Sequence, residues 1–189
     1  MTTRRELLGH GAAIALLLGV PPATVWAQVK GNPGRRDPWL ERISDLVIPA
    51  TDTPGATAAG VPAFVRASIG LGLRGASDTG YRAFRAALDA RSGGRFEALP
   101  VAGAGTMLAA IDQAVLGPHA SGESAPAPTD PLAFWRTLKA LIVMGYYSSE
   151  IGASQELQYE LVPGHFDPDV PLTQQPRAWS SDWTGVKYA

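Results

Sequence analysis

No cysteine occurs anywhere in the 189 residues. That absence excludes disulfides, thiolate metal sites, iron–sulfur ligation and covalent haem attachment. Histidine is scarce as well, with three copies, His10, His119 and His165. No Gly-x-Gly-x-x-Gly follows a strand pattern, and no Walker-type loop, His-Glu-x-x-His pair, calcium loop or Gly-x-Ser-x-Gly elbow is present. Excess charge is missing too: the formal net charge is −1. Nothing in that balance points to nucleic acid or to an anionic membrane surface.

What the chain does carry begins at its N-terminus. Thr3-Arg4-Arg5 is followed by Glu6 and Leu7-Leu8, then by the apolar run 12–18, which Pro21-Pro22 breaks. Val25-Trp26-Ala27 places small residues at −3 and −1 of a cut before Gln28. A charged start, an apolar middle and a small-residue end make a signal peptide. The run is too short for a span, which needs roughly 20 apolar residues. Adjacent arginines after Thr3, with two leucines beyond, resemble the twin-arginine signal, so 1–27 is expected to route the folded chain to the periplasm. A chain folded in the reducing cytoplasm before export is compatible with the missing disulfides.

The remaining residues, 28–189, suit a single domain large enough to fold without staples. Residues 28–36 are polar and Gly-rich and read as a loose arm. Asp37-Pro38 then opens a helix, with Asp as N-cap and Pro at the first helical position. Trp39, Leu40, Ile43, Leu46 and Val47 recur at helical spacing up to Pro49. Residues 49–56 are rich in turn formers. Further helices are expected over about 61–73, after Asp78 and over about 106–116. Residues 119–129 read as a flexible surface loop. Asp130-Pro131 repeats the capping pattern ahead of the most apolar helix, Leu132 to Met144, which is expected at the centre of a bundle. Residues 160–189 hold four prolines together with Trp179, Trp183 and Tyr188, and show neither helix nor strand period. The expected fold is all-α: a small helical bundle with a long irregular C-terminal tail.

Candidate chemistry is sparse. His119 lies in the loop; His165 sits in the tail beside Asp167 and Asp169 and reads more readily as a turn residue than as a ligand. Glu150 follows Tyr146, Tyr147, Ser148 and Ser149, and a capping or hydrogen-bonded acid suits it better than a catalytic one. A folded export signal without a cofactor motif suggests a chain that carries a partner. Pro holds the tail extended at low entropic cost, and Trp and Tyr are favoured interface anchors. The same tail suits wrapping around its own bundle, with Trp179 and Trp183 buried within it.

Two blocks sharpen this. One is Ile43-Ser44-Asp45-Leu46-Val47-Ile48-Pro49-Ala50-Thr51-Asp52-Thr53-Pro54-Gly55-Ala56, followed by Ala59-Gly60-Val61. The other is Met144-Gly145-Tyr146-Tyr147-Ser148-Ser149-Glu150-Ile151-Gly152, with Tyr159, Val162-Pro163-Gly164 and Val170-Pro171 beyond. Together they resemble the gluconate 2-dehydrogenase subunit 3 family, the small subunits of membrane-linked sugar and sugar-acid dehydrogenases. The resemblance implies a subunit with no catalytic residue, cofactor or metal of its own. It implies a glucose-methanol-choline type flavoprotein partner holding FAD, and a multihaem cytochrome c subunit beside it. It further implies that the small subunit helps the flavoprotein mature, brings it through the twin-arginine translocase, and remains bound at the inner membrane. Arg4 and Arg5 would then serve as the export signal. Pro49, Asp52, Pro54, Gly55, Tyr146, Tyr147, Glu150 and Gly152 are the motif positions, with Trp179 and Trp183 as further interface candidates. The alternative is a stand-alone periplasmic enzyme or binding domain using Glu150, His165 and Asp167.

Overall fold

A computed structural model describes residues 20–31, 34–117, 129–160 and 177–180. Its α-helices are α1 (Pro22–Gly31), α2 (Pro38–Val47), α3 (Val61–Gly70), α4 (Asp78–Arg91), α5 (Val101–Leu116) and α6 (Phe134–Tyr147). Single 3₁₀ turns, Leu73–Gly75, Phe96–Ala98 and Pro131–Ala133, join some of them. A π-turn, Gly152–Glu156, follows α6. The all-α reading holds.

Local chemistry sets several of these boundaries. Asp37 caps α2, its carboxylate accepting from the Leu40 N–H at 3.3 Å. Asp130 does the same for the Leu132 N–H at 2.8 Å, but the chain first makes a 3₁₀ turn before entering α6 at Phe134. The N-cap of α4 is Ser77 rather than Asp78, and its hydroxyl accepts from the Gly80 N–H. Helix α5 starts at Val101, ahead of the Thr106 expected from spacing. Gly103 and Gly105 dilute its first turns, and Pro100 at its N-cap offers no side-chain acceptor, so this end carries little signal.

Trp39 organises the core. It is fully buried. Tyr81 and Phe84 meet its ring edge-on at 5.5 and 6.0 Å, and Phe96 lies 6.0 Å away. Phe84 in turn stacks on Trp135 at 5.9 Å. This aromatic chain ties α2, α4 and α6 together. Helix α6 touches α2, α3, α4 and α5, the central place that its nearly continuous apolar sequence requires. Its closest approach is to α3, where a Cβ on Gly145 would lie 2.7 Å from the Phe64 ring. Val143 and Tyr147 of the same helix stay exposed.

Two further features depart from the sequence reading. Residues 28–31, expected in a loose arm, complete α1, and Val25 of that helix is fully buried in the core. The tail also contributes a short parallel pair, β1 (Gln158–Tyr159) with β2 (Trp179–Ser180). Two residues per strand are too few to leave a period in sequence. Trp183, His165, Asp167, Asp169 and nearly all of the loop 119–129 lie outside the described residues, as do Arg4 and Arg5. No helix among the described residues is long and apolar enough to cross a membrane.

One polar node joins α5 to α6. Asp112 accepts from the Trp135 indole at 2.8 Å and from the Lys139 ammonium at 2.7 Å. Burial alone would push its carboxyl up, but the Lys139 and Trp135 hydrogen bonds prevail and hold it below the ordinary value of 3.8. A depressed folded value contributes stability that is present above the unfolded value and is lost as pH falls through the folded one. Asp112→Asn is therefore expected to melt roughly 2–4 °C below wild type at pH 7. The gap should close as pH falls below about 4. Thermal melts across pH 3–7 test this, and a gap independent of pH would contradict it.

Candidate functional site

The loop after α2 and the turn after α6 are built against each other. Helix α2 ends where the Ile48 N–H donates to the Ser44 carbonyl, and the Ala56 N–H closes the loop onto the Ile48 carbonyl at 3.0 Å. Gly55 sits inside that closure. A Cβ there would lie 2.7 Å from the Ala50 nitrogen and 3.0 Å from the Ile48 oxygen, so only glycine fits. The loop is strapped back to its own helix: the Thr57 N–H donates to Asp45 at 2.8 Å, and the Thr57 hydroxyl to the Glu41 carbonyl.

Helix α6 delivers Tyr146, which is buried apart from 1% of its surface. Its hydroxyl donates to the Pro54 carbonyl at 2.8 Å. That bond joins the two blocks. The next turn is equally constrained. The Ser149 hydroxyl donates to the Tyr146 carbonyl at 2.6 Å and accepts from the Gly152 N–H at 3.0 Å. A Cβ on Gly152 would fall 2.0 Å from the Tyr146 oxygen. The π-turn then brings Glu156 to the Thr53 hydroxyl at 2.5 Å. From the tail, the Arg177 guanidinium bridges Asp52 at 2.8 Å and the Gln155 carbonyl. The Thr51 hydroxyl beside Asp52, then its own backbone N–H and Arg177, hold that carboxyl below its ordinary range.

Tyr146→Phe removes the bond between blocks without removing the ring. It leaves the Pro54 carbonyl short of a donor, so a loss of about 1 kcal/mol is expected, read as a fall of roughly 3 °C in melting temperature. An unchanged melt would show that the blocks meet by packing alone.

Around this locked centre the surface is open and sets exposed aromatics beside the exposed Asp52 and Glu150. Tyr147 is 44% exposed, Tyr159 50% and Trp179 49%. The Tyr147 ring stands edge-on to Tyr146 at 5.4 Å. On the side of the first loop, Leu46, Pro49, Ala50 and Val101, together with Arg42 and Asp45, line an open groove of about 460 Å³. Trp26 of α1 reaches the same neighbourhood, its indole donating to the Ser148 hydroxyl at 3.0 Å. Among the motif positions, Pro54, Gly55, Tyr146 and Gly152 hold the junction together, while Pro49, Asp52, Tyr147 and Glu150 face solvent. Glu150 is not a buried cap. Its carboxylate is exposed and has no hydrogen bond among the described residues; its backbone carbonyl instead accepts from Ser154.

Two participants escaped the sequence reading. The Thr53–Glu156 pair spans 103 positions and leaves no local trace. Trp26 was assigned to the leader, although an indole following Val25 just after a Pro22 helix start is an apolar pair fit to dock.

The arrangement is a cross-tied pair of turns with exposed aromatic side chains beside it. Among the described residues, no group of three or more acidic or histidine side chains is placed to hold a metal ion. A second open cleft gathers Arg35, Arg36, Arg66, Arg82, Arg85 and Arg95 around Asp37 and Glu97. Burial pushes the Glu97 carboxyl up, but Arg95 and Arg85 more than offset this and keep it low. Arg36 does the same for Glu41, at 2.7 Å.

A family model described as gluconate 2-dehydrogenase subunit 3 matches residues 36–164, a stretch running from the last residue before the α2 cap through both blocks. No curated protein matches the chain, and no solved structure does.

Proposed function

Because the chain belongs to the gluconate 2-dehydrogenase subunit 3 family, we propose that it is the non-catalytic accessory subunit of a periplasmic, membrane-linked sugar or sugar-acid dehydrogenase. In this reading it binds an FAD-holding flavoprotein of the glucose-methanol-choline type. It assists that partner's maturation, escorts it through the twin-arginine translocase on the Arg4-Arg5 signal, and stays bound. A multihaem cytochrome c subunit completes the electron path to the inner membrane.

The observation that carries the reading is the junction itself. Four motif positions, Pro54, Gly55, Tyr146 and Gly152, build one turn-on-turn contact between the blocks, and Tyr147, Tyr159 and Trp179 are exposed. Exposed aromatics on a pre-ordered backbone are what a stable protein interface uses, because little entropy remains to be lost on docking.

The experiment is purification of the tagged chain from periplasmic membranes. A flavoprotein should co-elute in a fixed ratio, with its flavin absorbance. Tyr147→Ala combined with Trp179→Ala should weaken the flavoprotein's binding tenfold or more, an effect of about 1.4 kcal/mol or above. About half of each side chain rests on its own chain, and Tyr147 stands edge-on to Tyr146, so a fall of roughly 5 °C in the melt of the isolated chain is expected as well, and binding is compared well below that melt. Recovery of the chain alone, as a monomer, would overturn the proposal.

A further inference from the structure

The leader grammar places a cut between Ala27 and Gln28, yet the structure builds that bond into a helix. Residues Pro22–Gly31 form α1, with Pro22 at its first position and Lys30 in its last turn. The helix is docked. Val25 is fully buried within the core cluster, and Val20 packs against that cluster from outside. The Trp26 ring lies 5.1 Å from Phe64, and its indole donates to Ser148. Gly60, left-handed at φ 76°, caps α3 under the same ring, and a Cβ there would meet it at 3.4 Å. Phe64, in contact with Trp26, also abuts Gly145 of α6. Trp26 thus packs beside the α3–α6 contact, next to the second block, while Val25 is buried in the core.

A processing enzyme needs the residues before the cut extended in its own cleft. Here the residue three before the bond, Val25, points into the core, and the bond lies within a turn of α-helix. Cutting therefore requires the whole segment to undock first, and its rate follows the population of the undocked form.

We propose that residues 20–27 are a permanent part of the folded subunit, and that any leader cleavage falls on the N-terminal side of Val20. The processing half of this rests on the export reading above; the structural half does not.

Two measurements separate them. Purified chains starting at Val20 and at Gln28 are melted side by side. The chain from Val20 is expected to match the full-length chain, and the chain from Gln28 to melt roughly 8 °C lower or fail to fold. Trp26→Ala in the full-length chain provides a milder variant, expected to fold and to melt about 4 °C lower. Equal melting of the Val20 and Gln28 chains, or a Val20 chain as weak as the Gln28 chain, overturns the proposal. Intact mass of the chain recovered from periplasm gives the second readout. An N-terminus at or before Val20 agrees with the proposal, and one at Gln28 overturns it. A chain never found in the periplasm would refute the export reading instead, and the paired melts would still decide this one.

Discussion

Gly152→Ala is expected to lower stability by about 3 kcal/mol or more, a drop of roughly 10 °C in melting temperature. A Cβ at this position would stand 2.0 Å from the Tyr146 carbonyl oxygen and 2.7 Å from its carbon. Both are backbone atoms of the preceding helix end, so no side-chain rotation relieves the overlap. The chain has to open the Ser149–Gly152 turn, which holds one hydrogen bond to the Gly152 N–H and one to the Tyr146 carbonyl. Opening it moves the π-turn and withdraws Glu156 from Thr53. The Thr53–Glu156 tie is then lost and the Tyr146–Pro54 bond is left to hold the two blocks together, so the partner should be bound poorly as well. Gly103 supplies the contrast. It is exposed in the first turn of α5, and a Cβ there meets nothing within 4 Å. Gly103→Ala should stabilise the chain by about 0.5 kcal/mol through lower unfolded-state entropy. If both variants melt alike, steric exclusion is not what places glycine at 152.

The second large effect concerns export. In the proposed reading the Arg4-Arg5 pair serves two proteins, this chain and the flavoprotein it carries. Replacing both arginines by lysine keeps the charge while removing the guanidinium forks that lysine does not reproduce. The expected result is accumulation of both proteins in the cytoplasm, seen by fractionation and immunoblotting, with periplasmic levels of each at background. The accumulated flavoprotein should still contain FAD, because the substitution leaves every described residue of the bundle unchanged. A flavoprotein that reaches the periplasm beside a stranded small subunit would refute the escort role while leaving family membership intact.

Where chemistry is local, the sequence was readable. Asp37-Pro38 and Asp130-Pro131 announced helix starts because a capping carboxylate and the residue after it are neighbours in the chain. Trp39, Leu40 and Ile43 announced the inward face of α2 because helical spacing is a local property. The junction was half legible. Pro49 to Gly55 read as a turn, but nothing local says that the Pro54 carbonyl receives a hydroxyl from a tyrosine 92 positions away. Trp26 shows the same limit from the other side. Small residues at −3 and −1 of a cut fit a cleavage site, and they fit one turn of a docked helix equally well. Docking of Trp26 depends on Phe64 and Ser148, which lie far along the chain. The β1–β2 pair was unreadable because two residues carry no period.

Expression of the flavoprotein with and without this chain decides the question of function. The readout is dye-linked sugar or gluconate oxidation by the periplasmic fraction, normalised to total flavoprotein. Activity should be present with the chain and near background without it, and should fall with Gly152→Ala in proportion to the folded small subunit that remains. Equal periplasmic activity in the absence of the chain would contradict the accessory role.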